Sequence, residues 1–386
     1  MIGWGEFHQF PIIILFSSRI NEVMVKKTWL PVLLVTVICL SIVLSVIWRS
    51  GGDPLALARI GTRFSQGEPG GSEGYDGQFV IYIARTLQPH QVESKLDVPA
   101  YRYQRILLPA LARVFSLGEE RLIPWVVILI NLLSHLAAVF ILGRLLEDHG
   151  VNPWYAALYG LWVGSLLAIR LDLPEPLAYG LVIFAVAADK KGRPAAAWIL
   201  YGLAVFTKEV TLIFVAARGL VAVRQKRWLY LVGLVGLTVV PFGVFQLWLK
   251  SVYGSYGIGS GGAMATSFEW LPLMGLLRVG FHSWKLLGIY LILFGPFLIY
   301  PAVVGIRRLY QAWKASDVNF GSLAYGLHGL LFLFLPFSTY REPGGLLRFA
   351  NGLMLSVILF MFRNQPPAFK KYLPLVLILN LFLWEG

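Results

Sequence analysis

An all-α protein that crosses a membrane about eleven times is the fold class this sequence predicts, on three observations. Hydrophobic residues make up 57% of the 386 positions and charged residues only 14%, against about 25% charged in a soluble domain. Several apolar runs approach the ~20 residues that a helix needs to span hydrocarbon. The apolar–polar alternation of a transmembrane barrel is absent.

Taken in order, residues 1–23 hold only a short apolar stretch at 10–16 that cannot span. Met24-Val-Lys-Lys before an apolar run reads as a natural start, so residues 1–23 are either an upstream extension of the start or part of a loose cytoplasmic tail, 1–28. The first span lacks the small-residue cleavage site of a signal peptide. The expected spans are 29–48, 122–143, 153–169, 174–188, 194–206, 210–223, 228–249, 284–305, 320–337, 346–362 and 372–384. A further apolar piece, 106–117, reads as an interfacial or partial span. Residues 29–386 form one transmembrane domain, and 49–121 is its large first outer loop.

Charge at the span ends sets the orientation. One alternating set of ends carries Lys26-Lys27, Arg144, Lys190-Lys191 with Arg193, Arg224 with Lys226-Arg227, Arg307-Arg308 with Lys314, and Lys370-Lys371. Lys and Arg concentrate on cytoplasmic loops, so this side is the cytoplasm. The same loops account for much of the net charge of +13 without a nucleic-acid partner. In a bacterium this is a multi-pass protein of the inner membrane, with 49–121, 170–173, 207–209, 250–283 and 338–345 facing the periplasm or cell exterior. The single cysteine, Cys39, excludes an intrachain disulfide and a cysteine-based metal site.

The unusual polar residues fall on the outer side: Asp76, Arg102, Arg105, Arg170, Asp172, Glu175, Lys208, Glu209, Glu269, His282, Arg341, Glu342 and Arg348. Ionisable groups near membrane depth are costly and point to function. Five separate loops converge there. Asp76, in Gly74-Tyr-Asp-Gly-Gln, suits a general base that takes the proton of an attacking hydroxyl. The plainer reading is an Asx turn capping a helix that starts near Gln78. Tyr75 and Gln78 flank Asp76 as candidate substrate contacts. Arg102 and Arg105, three apart in Tyr-Arg-Tyr-Gln-Arg, share a face if the piece is helical and suit a lipid phosphate. The alternative is an interfacial Arg–Tyr belt.

Later loops add to this set. Asp172 could orient a sugar hydroxyl or share a metal with Asp76, and Glu175 reads as a substrate contact or a first-turn helix residue. Lys208 and Glu209 pair with each other, or Lys208 meets a donor phosphate and Glu209 the substrate. Arg348 falls in the first turns of the tenth expected span, where a cation opposes the helix dipole and calls for an anion. Asn351 is placed to support it, and Arg341 is a further substrate contact. The glycine-rich stretch from Tyr253 in loop 250–283 reads as a flap. There is no Ser-His-Asp set, phosphate-binding Walker loop, HExxH or zinc pattern, and no soluble domain large enough for a nucleotide sugar.

Tyr75-Asp-Gly-Gln-Phe, Tyr101-Arg-Tyr-Gln-Arg-Ile-Leu-Leu-Pro, the Asp172–Glu175 turn and Thr207-Lys-Glu resemble the GT-C class of integral-membrane glycosyltransferases, close to a bacterial group assigned to cell-surface glycopolymer formation. The likeness covers most of residues 29–223. It implies a catalytic Asp76 in the first outer loop and a polyprenyl-phosphate sugar as donor. The acceptor it implies is a surface glycan or glycolipid. Donor phosphate would fall to Arg102, Arg105, Lys208 and Arg348. Many members carry paired acids where this chain has only Glu73 beside Asp76, so a divalent metal is not required by the pattern and the cofactor stays open. Two rivals stand beside this expectation: a transporter of a lipid-linked glycan, and a non-catalytic partner in envelope glycopolymer assembly.

Overall fold

The structure, a computed structural model, describes residues 12–364 and 373–384. Among these residues every regular element is a helix and there is no strand. Four helices are long and apolar enough to cross a membrane: Thr28–Arg49, Ile123–Asp148, Trp228–Tyr253 and Pro343–Phe360. A fifth candidate, Trp284–Leu293 with Gly295–Lys314, is bent by 52°. The bend falls beside Pro296, which has no amide hydrogen to continue the ladder.

The remaining expected spans form shorter elements. Glu175–Lys190 has 16 residues, Pro194–Thr207 has 14 and Leu212–Arg224 has 13. At ~1.5 Å per residue these reach roughly 20–24 Å, short of the ~30 Å hydrocarbon core. The run 153–169 is broken into Tyr155–Gly160 and Val163–Arg170. The run 320–337 stops at Leu333, and Pro336 precedes the short helix Phe337–Arg341. The last run winds as a 3-10 helix, Leu373–Trp384. Tyr372 and Lys370-Lys371 lie outside the described residues, as do residues 1–11 of the expected tail. Residues 12–28 continue into the first span as one helix, Ile12–Arg49.

Several short helices sit inside the bundle. In Glu175–Lys190 nearly every residue up to Ala185 is buried. An apolar run reads alike whether it meets lipid or protein, so the short interior helices carry the same signal as spans. Close approach is set by small residues, the usual device where lipid offers no hydrophobic drive between helices. A Cβ on Gly180 would lie 3.1 Å from the Ser134 carbonyl oxygen, which brings Glu175–Lys190 against Ile123–Asp148.

The first outer loop is a folded unit. It holds the helices Gly77–Thr86, Pro99–Tyr103 and Leu107–Phe115. Phe79, Tyr82, Ile83, Val92, Leu96 and Tyr103 make a small core with Leu249 from the long helix beneath. Two contacts then fix its place. A Cβ at Gly77 would sit 2.2 Å from the Leu171 carbonyl oxygen, so only glycine lets the start of Gly77–Thr86 lie on the 170–175 turn. A Cβ at Gly164 would sit 2.1 Å from the Leu347 carbonyl oxygen, which seats Pro343–Phe349 against Val163–Arg170. These contacts draw segments 75–77, 171–175 and 343–349 to one end of the bundle.

Candidate functional site

Asp76 stands at the N-cap of Gly77–Thr86, yet its side chain makes no capping bond. Its carboxylate turns instead to two arginines. Arg102 Nη1 lies 3.0 Å from Oδ1, and Arg348 Nη1 lies 3.5 Å from Oδ2. The Asp76 side chain keeps 32% of its exposure, while Arg102 and Arg348 are buried. They line a narrow cleft with Arg105, Glu175, Phe79, Leu173, Pro174 and other apolar neighbours.

Three cations of the site, Arg102, Arg105 and Lys208, each have a close carboxylate partner. Arg102 donates from Nε and Nη2 to the two oxygens of Asp97, at 2.7 and 2.8 Å, and lies over the Phe79 ring. It belongs to Pro99–Tyr103, whereas Arg105 falls beyond that helix on a turn. Arg105 grips Glu209 with two bonds of 2.9 and 2.6 Å and also donates to Tyr101 Oη at 2.7 Å. Lys208 donates to Glu175 Oε1 at 2.8 Å. Lys208 and Glu209 therefore pair across the site rather than with each other, because the chain at Lys208 is extended and turns the two side chains apart. Arg348 is the most shared group. It reaches Asp76, Glu175 Oε1 at 3.6 Å and Glu342 Oε1 at 3.6 Å, with shorter bonds to Tyr75 Oη at 2.8 Å and the Gly344 carbonyl at 3.3 Å. Arg348 lies in the last turn of Pro343–Phe349, where a cation suits the helix dipole, so the expected dipole clash does not arise; its anionic partners come from three directions instead.

Burial and charge compete at these carboxylates. At Asp76 burial raises the pKa, but Arg102 first, then Arg348, Arg105 and Lys208, outweigh it and hold the group below the usual carboxylate range. Asp97 is likewise lowered, its burial outweighed by the bonds and charge of Arg102. Glu209 is brought down to about 2, burial again opposed by Arg105. Both oxygens of Asp97 are occupied, because Oδ1 also accepts from the Val98 amide at 2.7 Å and Oδ2 from the Ala263 amide at 3.1 Å.

Five expected site residues stand differently from expectation. Gln78 is buried away from the cleft, accepting from the Gly61 amide at 3.1 Å and donating to the Glu73 carbonyl at 2.7 Å, so it braces a turn. Asp172 is fully buried with φ of +51°, and neither carboxylate oxygen has a hydrogen-bond partner among the described residues. It does not line the cleft, and among the described residues no three acidic, His or Cys side chains gather as a metal site. Arg341 is exposed and donates to the Met264 carbonyl at 3.4 Å. Asn351 accepts from Ser165 Oγ at 3.1 Å and does not reach Arg348 by a hydrogen bond. Tyr75 holds the far wall, donating to Glu342 Oε1 at 2.5 Å. Glu175 is both the first residue of its helix and the partner of Lys208 and Arg348.

Sequence reasoning missed Asp97 and left Glu342 outside the site. Asp97 lies five residues before Arg102 and shares no motif with it; Pro99, which starts the short helix, turns the chain so that they meet. Glu342 stood among the outer polar residues, but its contact with Tyr75, 267 positions away, was not legible from the sequence.

This arrangement can bind an anion by exchanging it against carboxylates, or hold a hydroxyl beside Asp76. Arg348 is best suited to exchange, because its carboxylate contacts are long and divided. Arg105 and Lys208 are each closed on one short-range partner. Fold and cleft together define an all-helical membrane protein with a buried ion-pair network at one end of its bundle. No protein-family model, curated protein or solved structure matches the chain.

Proposed function

We propose that the protein is a GT-C-like membrane glycosyltransferase of about eleven membrane segments, some of them short and interior. It moves a sugar from a polyprenyl-phosphate donor to a surface glycan or lipid acceptor on the extracytoplasmic face of the bacterial inner membrane. The observation that carries this reading is Asp76. It occupies a helix N-cap without capping, and it opens on a cleft whose cations come from the first outer loop and from Pro343–Phe349. Buried ion pairs are weak stabilisers beside apolar packing of equal volume. Three arginines gathered at one cleft, Arg102, Arg105 and Arg348, therefore favour a ligand over a purely structural role.

In the proposed step the acceptor oxygen attacks the sugar C1, and the C1–O bond to phosphate breaks with its electron pair on the phosphate oxygen. The acceptor proton passes to Asp76. As held in the free protein, Asp76 is a weak base, because Arg102 and Arg348 stabilise its charge. A donor phosphate that draws those arginines onto itself returns basicity to the carboxylate where it is needed. Arg348 and Arg102 then face the charge that develops on the leaving group. Arg105 and Lys208 hold Glu209 and Glu175 and so shape the wall.

The test is Asp76→Asn in a strain lacking the native copy. Loss of glycan at normal protein level is expected; wild-type glycan overturns the catalytic assignment. A transporter of the lipid-linked glycan is the second reading. It is favoured by the buried Asn131, His135 and His328 in the bundle, each with an unpartnered polar atom. It predicts full transfer by the Asp76→Asn protein in membranes opened to both sides.

A further inference from the structure

The glycine-rich stretch after Tyr253 runs from Gln246 past Asp97 to Ser338, bonding each on the way. At one end, the amides of Gly257 and Ile258 donate to Gln246 Oε1 at 2.9 and 3.0 Å, and Gln246 donates to Gln104 at 3.2 Å. In the middle, the Ala263 amide donates to Asp97 Oδ2 at 3.1 Å. At the other end, the Thr266 amide donates to Ser338 Oγ at 3.0 Å and the Ser338 amide returns a bond to Thr266 Oγ1 at 3.1 Å. Ser338 lies four residues before Glu342, which holds Tyr75 and Arg348.

We propose that residues 257–266 are a strap that lifts to admit ligand and closes over the cleft, and that Asp97 is its latch and a positioning residue for Arg102. The inference rests on the transferase reading only for what the ligand is. Three contacts run from strap backbone to reactive carboxylate: Ala263 to Asp97, Asp97 to Arg102, and Arg102 to Asp76. Asp97 occupies Nε and Nη2 of Arg102 and leaves Nη1 for Asp76, so closure fixes the direction of the guanidinium. The strap bonds through backbone amides and small hydroxyls, which hold without a buried apolar anchor; such segments open at low free energy. Gly262 makes the fit. A Cβ there would lie 2.9 Å from Arg102 Nη2 and 3.2 Å from Asp97 Oδ2, so any larger residue forces the strap or the arginine aside.

Two measurements on the full chain in lipid nanodiscs test this, and neither needs sugar transfer. Hydrogen exchange of peptides within 257–266 is compared among wild type, Asp97→Asn and Gly262→Val. Gly262→Val keeps both latch residues and so controls for a folding defect of Asp97→Asn. Each variant should speed exchange about tenfold, as loss of a charge-assisted bond implies; wild-type rates in both overturn the latch. In a Cys39→Ser background, Thr266→Cys with Ser338→Cys forms a disulfide that ties the strap down. A bulky sulfonated maleimide should label Asp76→Cys at least about tenfold more slowly with the tie closed than after its reduction, since a thiolate between arginines is reactive once reached. Equal rates overturn the strap. Wild-type glycan from Asp76→Asn defeats the transferase and leaves these readouts untouched; unchanged exchange and labelling defeat the strap and leave the transferase standing.

Discussion

Arg348 and Asp76, 272 positions apart, meet across the cleft at 3.5 Å. The same guanidinium bonds Tyr75 Oη and reaches Glu175 and Glu342, so one side chain ties the first outer loop, the 170–175 turn and Pro343–Phe349 together.

Arg348→Gln should therefore lower glycan output by about 10²-fold, the usual loss when a charge-stabilising donor is removed. Arg348→Lys should not restore it. An ammonium is a point charge and cannot serve several partners in a plane as a guanidinium does. Complementation of a null strain, scored by surface glycan per unit of protein, checks both.

Glu209→Gln leaves Arg105 buried and charged with its two-pronged partner gone. A loss of roughly 3–5 kcal/mol is expected. Arg105→Met in the same chain should recover most of it, because the pair contributes little net stability beside apolar packing. Thermal unfolding in detergent distinguishes a true pair, which shows this rescue, from two independent losses.

Acid should weaken the same contact. The pKa of Glu209 falls from an ordinary 4.5 to about 2 in the folded chain. A depressed folded value means that the stabilisation is complete above 4.5 and is lost as pH falls through the folded value. Asp76 and Asp97 shift in the same direction. Melting temperature should hold level near neutrality and fall between about pH 4.5 and 2, and Glu209→Gln should flatten that slope. An unchanged slope in the variant would place the acid sensitivity elsewhere.

Gln78→Ala should act on stability and not on binding. It strips partners from the Gly61 amide and the Glu73 carbonyl, at a cost of about 1–3 kcal/mol. Protein level should drop while glycan per molecule stays near wild type. Normal level with lost glycan would return Gln78 to the substrate site.

The helical membrane class was legible from composition, and the polar outer stretch from its contrast with the apolar chain. Asp76, Arg102, Arg105, Glu175 and Arg348 all line one cleft, which charge near membrane depth anticipated. Partners were not legible. Lys208 sits beside Glu209 in the chain yet bonds Glu175, because pairing follows how helix ends meet and not adjacency. Asp172 and Glu175, three positions apart, are both buried, but Glu175 meets Lys208 and Arg348 whereas Asp172, in a left-handed turn, has no hydrogen-bond partner among the described residues. The number of spans was not legible either: Glu175–Lys190 is buried by protein, and hydropathy does not distinguish that surrounding from lipid.

The ion pairs also set an order of assembly during synthesis. Asp97–Arg102, Arg105–Glu209 and Glu175–Lys208 are complete once residue 209 has left the ribosome, so the amino-terminal half can settle with its buried charges answered. Arg348 arrives much later and docks last, through contacts longer than those already made. Of the groups that line the cleft, Arg348 is thus the last to be synthesised, and a nascent chain short of it holds the other ion pairs with the cleft still incomplete.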